Sequence, residues 1–169
     1  MPEKQTIERA RKDKRAGKSA STQAGEFVRE EIEHIREGKH GARSTKQAIA
    51  IGLSKARRAG VDLKPPEKGK TSEKTRKSAV RAYARGHGAP ARAKSSPKRS
   101  RATERALKRE GHAAASHRAL ARQARSAARR RTGAQRSAAA RKAIRTKGPA
   151  GRSAAARKAA RTRELHSHA

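Results

Sequence analysis

The sequence predicts a mostly α-helical protein with extensive disorder, built as a small N-terminal helical hairpin and an extended Ala/Arg-rich tail of short helices. Three observations support this fold class. Leu, Ile, Val and Phe number only 15 of the 169 residues, and the formal net charge is +33. Chains with so few large apolar residues and so high a charge are typically disordered. Nine of those 15 residues lie between positions 27 and 63, so an ordered module is expected there.

The first predicted helix spans about residues 22–37, with Thr22 as N-cap and Gly38 just beyond its C-terminus. Its apolar residues recur with helical spacing and occupy one face. These residues are Ala24, Phe27, Val28, Ile32 and Ile35.

An acidic stripe occupies another face of this helix and consists of Glu26, Glu30, Glu33 and Glu37. One interpretation is ordinary helix solubility, with intrahelical ion pairs to Arg29 and Arg36. The other is a docking surface for a basic helix of this chain or of a neighbour.

The second predicted helix spans about residues 45–59. Ser44 and Gln47 have the spacing of a capping box, and Gly60 has the position of a C-terminal glycine. A short connection joins the two helices, which predicts a hairpin within a module of residues 1–64. A core this small is marginal alone, so we expect a fragile hairpin or weak homo-oligomerisation through this module.

Pro65 and Pro66 end the module, because proline cannot continue a helix. The Pro/Gly/Ser/Lys-rich residues 65–95 predict a flexible linker. Residues 96–132 then predict a basic helical segment that starts at Ser96, the expected N-cap, followed by a proline at the first helical position.

The predicted tail, residues 133–169, contains an internal repeat. Residues 136–146 recur as residues 152–162 with a single difference, and the segment Gly-Pro-Ala-Gly at 148–151 separates the copies. Short Ala/Arg helices are unstable in isolation. We therefore expect these units to be disordered when free and helical when a polyanion neutralises them.

Cations at helical spacing are the candidate functional residues. Arg118, Arg122, Arg125 and Arg129 follow a 4-3-4 spacing, which aligns them along about 16 Å of one helix face. Like charges so placed repel, and a bound polyanion would remove that repulsion. The complete set of candidate DNA-binding residues is Arg118, Arg122, Arg125, Arg129, Arg130, Arg131, Arg141, Lys142, Arg145, Arg157, Lys158, Arg161, Lys98 and Arg99.

Other classes of function have little support in the sequence. There is no cysteine, the histidines follow no recognised metal-finger spacing, and neither a Walker loop nor a dinucleotide fingerprint occurs, so we expect no enzyme, cofactor or metal. The longest apolar run, Ala48–Ile51, is too short to cross a membrane, and the N-terminus has no apolar signal region. We therefore expect a cytoplasmic protein without a membrane partner.

Charge makes nucleic acid the expected partner, since it is the most abundant polyanion in cells. The expected function is largely sequence-independent duplex DNA binding at the nucleoid. RNA or ribosome binding is an alternative, because charge does not distinguish the two polyanions. Another alternative is a protein-binding adaptor whose basic tail is only a tether.

Two resemblances accompany these inferences. The segments QAGEFVREE (23–31), HIREGKHGARS (34–44) and KQAIAIGLSKARRAG (46–60) resemble small basic bacterial proteins often labelled plasmid stabilisation protein. That resemblance implies a role in plasmid or nucleoid maintenance and assigns no functional residue. The Ala/Lys/Arg composition of the tail, and the Ser-Pro-Lys-Arg sequence at 96–99, are similar to linker-histone tails and histone-like nucleoproteins, which implies DNA contact.

Overall fold

The computed structural model describes residues 2–90 and 96–167, which form seven α-helices and one 3-10 helix. The helical part of the predicted fold class is confirmed. The elements are α1 Lys4–Arg15, α2 Ala20–Arg36, α3 Thr45–Arg58, α4 Glu73–Gly86, α5 Pro97–Arg109, the 3-10 helix η1 Ala113–Ala115, α6 His117–Arg129 and α7 Gly133–Ser167.

The predicted extensive disorder is wrong, because helices cover most of the described residues, the Ala/Arg-rich ones included. Alanine and arginine are among the strongest helix formers, and a helix satisfies its own backbone hydrogen bonds without a large core. In the N-terminal part alanine is also a core residue, since Ala24, Ala48 and Ala56 are fully buried. Small side chains allow helices to approach closely, so few large residues are needed between them.

Two apolar clusters form the core, and α2 contributes to both. The first contains Ala10, Ala24, Phe27, Ala56 and Val61, with Ile7, Ala20, Leu53 and Leu63 packed against it. The second contains Ile32, Ile35, Ala42, Ala48 and Ala115, with Val28, Ala114 and Leu120 packed against it. The ordered core therefore extends beyond the predicted module 1–64, because η1 and α6 supply part of the second cluster.

The N-cap predicted for α3 is present in the structure, whereas the one predicted for α2 is not. Ser44 caps α3 as expected, since its hydroxyl accepts a hydrogen bond from the Gln47 amide at 3.2 Å. Helix α2 starts earlier than predicted. Its N-cap position is Ser19, and Thr22 lies within the first turn, where its hydroxyl meets that of Ser19 at 3.0 Å.

The predicted flexible linker 65–95 contains α4, which packs against α3. Ser72 caps this helix by accepting from the Thr75 amide, and Ala79 and Ala82 are buried. The composition of the segment concealed this helix, because its contact surface consists of alanine rather than of large apolar residues. Residues 91–95 of the predicted linker lie outside the described residues.

The described chain divides into two compact units, one ending at Gln123 and the other beginning at Ala124, so the division lies within α6. In the second unit, α7 consists of two helices that meet at Gly148, whose φ of 64° and ψ of 178° are not helical. Pro149 and Gly148 together account for the break, since proline disfavours helical geometry at the preceding residue and glycine adopts a positive φ without strain. Both repeat copies are thus helical. Of the described helices, none is long and apolar enough to cross a membrane.

Candidate nucleic-acid interface

The four aligned arginines of the prediction lie on α6, and we call them the α6 arginine stripe: Arg118, Arg122, Arg125 and Arg129. All four are exposed, and in the described part of the chain none of them forms an ion pair. Leu120 lies about 200° around the helix from Arg118 and packs on the second apolar cluster. This apolar anchor explains why the arginines near the start of α6 face solvent.

The remaining predicted cations lie on three other parts of the chain, and every one of them is exposed. Arg130 and Arg131 follow α6 directly. Lys98 and Arg99 lie in the first turn of α5, where the predicted cap is present, since the Arg99 amide donates to the Ser96 hydroxyl at 3.4 Å. The others lie along α7: Arg141, Lys142, Arg145, Arg157, Lys158 and Arg161.

A basic depression between α3 and α4 was not predicted from the sequence. It encloses about 390 Å³, and Arg58, Arg81 and Arg85 line it together with the hydroxyls of Ser54 and Ser78. Burial, assisted by the nearby charge of Arg85, lowers the pKa of Arg58. Three like charges around one depression favour an anion. The sequence concealed this surface because it depends on how α4 packs on α3.

A buried ionic cluster links α2 to α3 and was likewise not predicted from the sequence. The side chains of Glu30 and Glu31 are only 2% and 1% exposed, and the ammonium of Lys55 of α3 pairs with both carboxylates. The Lys55 Nζ lies 3.2 Å from Oε1 of Glu30 and 2.7 Å from Oε2 of Glu31. His40 Nε2 lies 3.4 Å from Oε1 of Glu31.

Glu30 remains ionised within this cluster. Burial alone raises its pKa, but hydrogen bonds from the Glu3 amide, the Thr6 hydroxyl and the Lys55 ammonium outweigh burial, so that its pKa lies below the ordinary value. A buried charge compensated in this way ties α1, α2 and α3 together. Adjacent glutamates at 30 and 31 were the only sequence signal for the cluster, and nothing in the pattern indicated burial of both.

The predicted acidic stripe of α2 does not form one continuous surface. Glu33 makes the expected intrahelical pair with Arg29 at 2.9 Å. Arg36 instead donates to a carbonyl of η1 at 2.9 Å. Glu26 lies 3.0 Å from Arg9 of α1, a basic helix of the same chain. Glu37 pairs with Lys39 of the α2–α3 connection at 2.9 Å. The stripe therefore divides among an intrahelical pair, a pair to the connection and contacts to other helices of the same unit.

Comparison with known proteins places part of the chain in a family model. Residues 11–69, about a third of the chain, match a family model described as "Family of unknown function (DUF6496)". The matched segment contains all of α2 and α3 and hence the buried ionic cluster, but it ends before the α6 arginine stripe. No curated protein matches the chain. No solved structure matches it either.

Proposed function

We propose that the protein binds duplex DNA non-enzymatically and largely independently of sequence, through the exposed cations of α5, α6 and α7. The observation that carries this proposal is the α6 arginine stripe: four exposed guanidinium groups aligned on one helix face, opposite an anchored leucine. The stripe spans about 16 Å. Along that length a DNA duplex presents about ten phosphates, at one charge per about 1.7 Å of axis.

The surplus of charge supports a polyanionic partner. Residues 65–169 contain 31 of the 47 basic residues and only 5 acidic ones. Along α7 the predicted cations are all exposed and lie on two helices joined at Gly148. Phosphates that neutralise such helices release condensed counterions, which supplies most of the free energy of non-specific binding.

The aromatic residues favour backbone contacts over base stacking. The sequence contains one Phe, one Tyr and no Trp. Phe27 is 1% exposed, within the core. Tyr83 donates a hydrogen bond to Asp62 at 2.6 Å and stacks on His87, with ring centroids 4.0 Å apart. Modules that bind single strands or read RNA loops stack bases on free aromatic rings. Both rings are engaged here, which makes duplex DNA the favoured polyanion.

The biological setting remains part of the proposal. Plasmid or nucleoid maintenance, with a location at the nucleoid, follows from the resemblance of the N-terminal segments and from DNA binding itself. A protein that bridges DNA needs two exposed basic surfaces, and the exposed cations of α6 and α7 are suited to that role.

The test is a salt series of binding to random-sequence duplex DNA. Replacing the four arginines of the α6 arginine stripe by glutamine removes about four phosphate contacts. The slope of log K against log salt should then become shallower by about 3.6, at about 0.9 per contact. The matched control also removes four exposed cations, but from α1, and should leave the slope unchanged. Its substitutions are Arg11→Gln, Lys12→Gln, Lys14→Gln and Arg15→Gln.

Equal slopes for the two variants would contradict the stripe as the contact surface. Competition with structured RNA at matched salt then decides between the two polyanions. If RNA displaces DNA at lower concentration than DNA displaces RNA, the proposal of a duplex DNA-binding protein is wrong and the RNA alternative replaces it.

A further inference from the structure

The α2–α3 connection brings together three side chains of the types that ligate metals. Glu31 and His34 lie three residues apart on α2, hence on the same helix face. Gly38, with a φ of 76°, then turns the chain, and the Lys39 amide donates back to the His34 carbonyl at 3.0 Å. This turn returns His40 towards the helix. One carboxylate oxygen and one nitrogen from each imidazole all lie within 4.8 Å of one another.

We propose that Glu31, His34 and His40 bind a divalent transition-metal ion of the zinc class. We call these residues the metal triad. Two imidazoles and one carboxylate are a ligand set typical of zinc and related ions, and they leave a coordination position for water. Nothing in the DNA-binding proposal depends on this site.

The hydrogen bonds of the two histidines orient them as ligands. His40 Nδ1 lies 3.1 Å from the Gly41 carbonyl, which only accepts, so Nδ1 carries the proton. In the neutral ring Nε2 then holds a lone pair, and it faces Oε1 of Glu31 at 3.4 Å. Two acceptors therefore face each other, and a cation between them removes the repulsion.

His34 is oriented by a hydrogen bond to a carboxylate rather than to a backbone carbonyl. Its Nε2 lies 2.8 Å from Oε1 of Glu3, and a carboxylate requires the proton on that nitrogen. Nδ1 is then the atom left to coordinate. Metal-ligating histidines nearly always donate their other N–H to a carboxylate or a backbone carbonyl. His34 and His40 show one of each.

The negative charge of the buried Glu31 carboxylate is only partly compensated. Its side chain is 1% exposed, and in the described part of the chain neither of its oxygens accepts a hydrogen bond. Lys55 lies 2.7 Å from Oε2, outside hydrogen-bond geometry, and its one charge is shared with Glu30. Two buried carboxylates thus face one ammonium, and one negative charge remains for a further cation.

The distances suit a small ion. Bonds of about 2.0–2.2 Å in a tetrahedron place ligand atoms about 3.4 Å apart. The separation of 3.4 Å between Glu31 Oε1 and His40 Nε2 already has this value. One ligand atom from each of the three residues lies within 4.8 Å of the others, so the closure required is at most about 1.4 Å. The histidine side chains are 14% and 19% exposed, so an ion reaches them from solvent.

The experiment is calorimetric titration of the full chain, freed of nucleic acid, with Zn²⁺, and visible absorption after addition of Co²⁺. His166 and His168 form a separate His-x-His sequence, so all proteins carry His166→Ala and His168→Ala. We expect one saturable site per chain, with the absorption bands of four-coordinate Co²⁺. Binding should be lost in His34→Ala and in His40→Ala, and kept in His117→Ala, which removes an exposed histidine of α6.

Two further measurements apply if the alanine variants fail to fold. Glu3→Gln keeps the triad but replaces the carboxylate partner of His34 by a neutral amide, so it should weaken Zn²⁺ binding about 10- to 100-fold. In NMR of the parent protein, which carries only His166→Ala and His168→Ala, Zn²⁺ should shift the imidazole signals of His34 and His40 alone. The proposal is overturned if the parent shows no saturable binding, if Zn²⁺ shifts other rings, or if only protonation moves these two, which would make a proton the cation at Glu31.

Discussion

Replacing Gly52 by alanine should destabilise the N-terminal unit, although alanine is the better helix former. Gly52 lies within α3, where α2 crosses it closely. A Cβ at this position would lie 2.6 Å from Val28 Cα and 3.0 Å from the Phe27 carbonyl oxygen. Carbon atoms in contact lie about 3.5–4.0 Å apart, so the two helices must separate by about 1 Å. The obstructing atoms belong to backbone, so no side-chain rotation relieves the contact.

The magnitude follows from two opposing effects. Overpacking costs about 1–3 kcal/mol, and the backbone obstruction places Gly52→Ala near the upper limit. The better helix propensity of alanine returns about 1 kcal/mol. The net expectation is a loss of about 2 kcal/mol in the free energy of unfolding, or about 4–8 °C in Tm.

Gly25→Ala is the matched control, because Gly25 also lies within a helix but no atom lies within 4 Å of an added Cβ. It should stabilise by about 1 kcal/mol. Urea unfolding followed by the fluorescence of Tyr83, which is held against Asp62, measures both variants. The reasoning is refuted if Gly52→Ala is as stable as Gly25→Ala.

Three further predictions concern the buried ionic cluster and a helix cap. Lys55→Met should lower the free energy of unfolding by about 3–5 kcal/mol, because it removes the cation that faces Glu30 and Glu31. Lys46→Met, on the exposed face of the same helix, should change the free energy of unfolding little, and chemical denaturation compares the two variants. The pKa of Glu30 is lower in the folded state, so its stabilisation is complete above about pH 4.3 and is lost as pH falls through the folded-state pKa. Glu30→Gln should therefore flatten the acid limb of stability against pH, and an unchanged limb would contradict the assignment. Ser44→Ala should cost about 1 kcal/mol in the same denaturation assay, since it removes the cap of α3.

Local signals were sufficient for part of the fold. Ser44 and Ser96 cap helices as predicted, since a cap depends only on a side chain and the backbone two or three residues later. The break between the repeats also followed from local chemistry, because a Gly-Pro pair disfavours a continuous helix through its own backbone. The exposure of the α6 arginine stripe agrees with its spacing.

The extent of ordered structure could not be predicted from local sequence signals. Counting large apolar residues predicted disorder and a linker, yet Ala79 and Ala82 of α4 are buried against α3. Alanine is ambiguous in sequence, since it suits an exposed helix and a close helix contact equally well. Only the partner helix decides between the two.

By itself, the sequence determined the helical character, the caps of α3 and α5 and the surplus of positive charge that makes a polyanion the expected partner. The tertiary structure alone decided which charges are buried. Glu30 and Glu31 look like ordinary surface residues of a helix until α1 and α3 close over them, and His40 reaches Glu31 only through the turn at Gly38. Burial and juxtaposition depend on contacts between residues distant in sequence, and these contacts change the chemistry of a side chain without changing its identity.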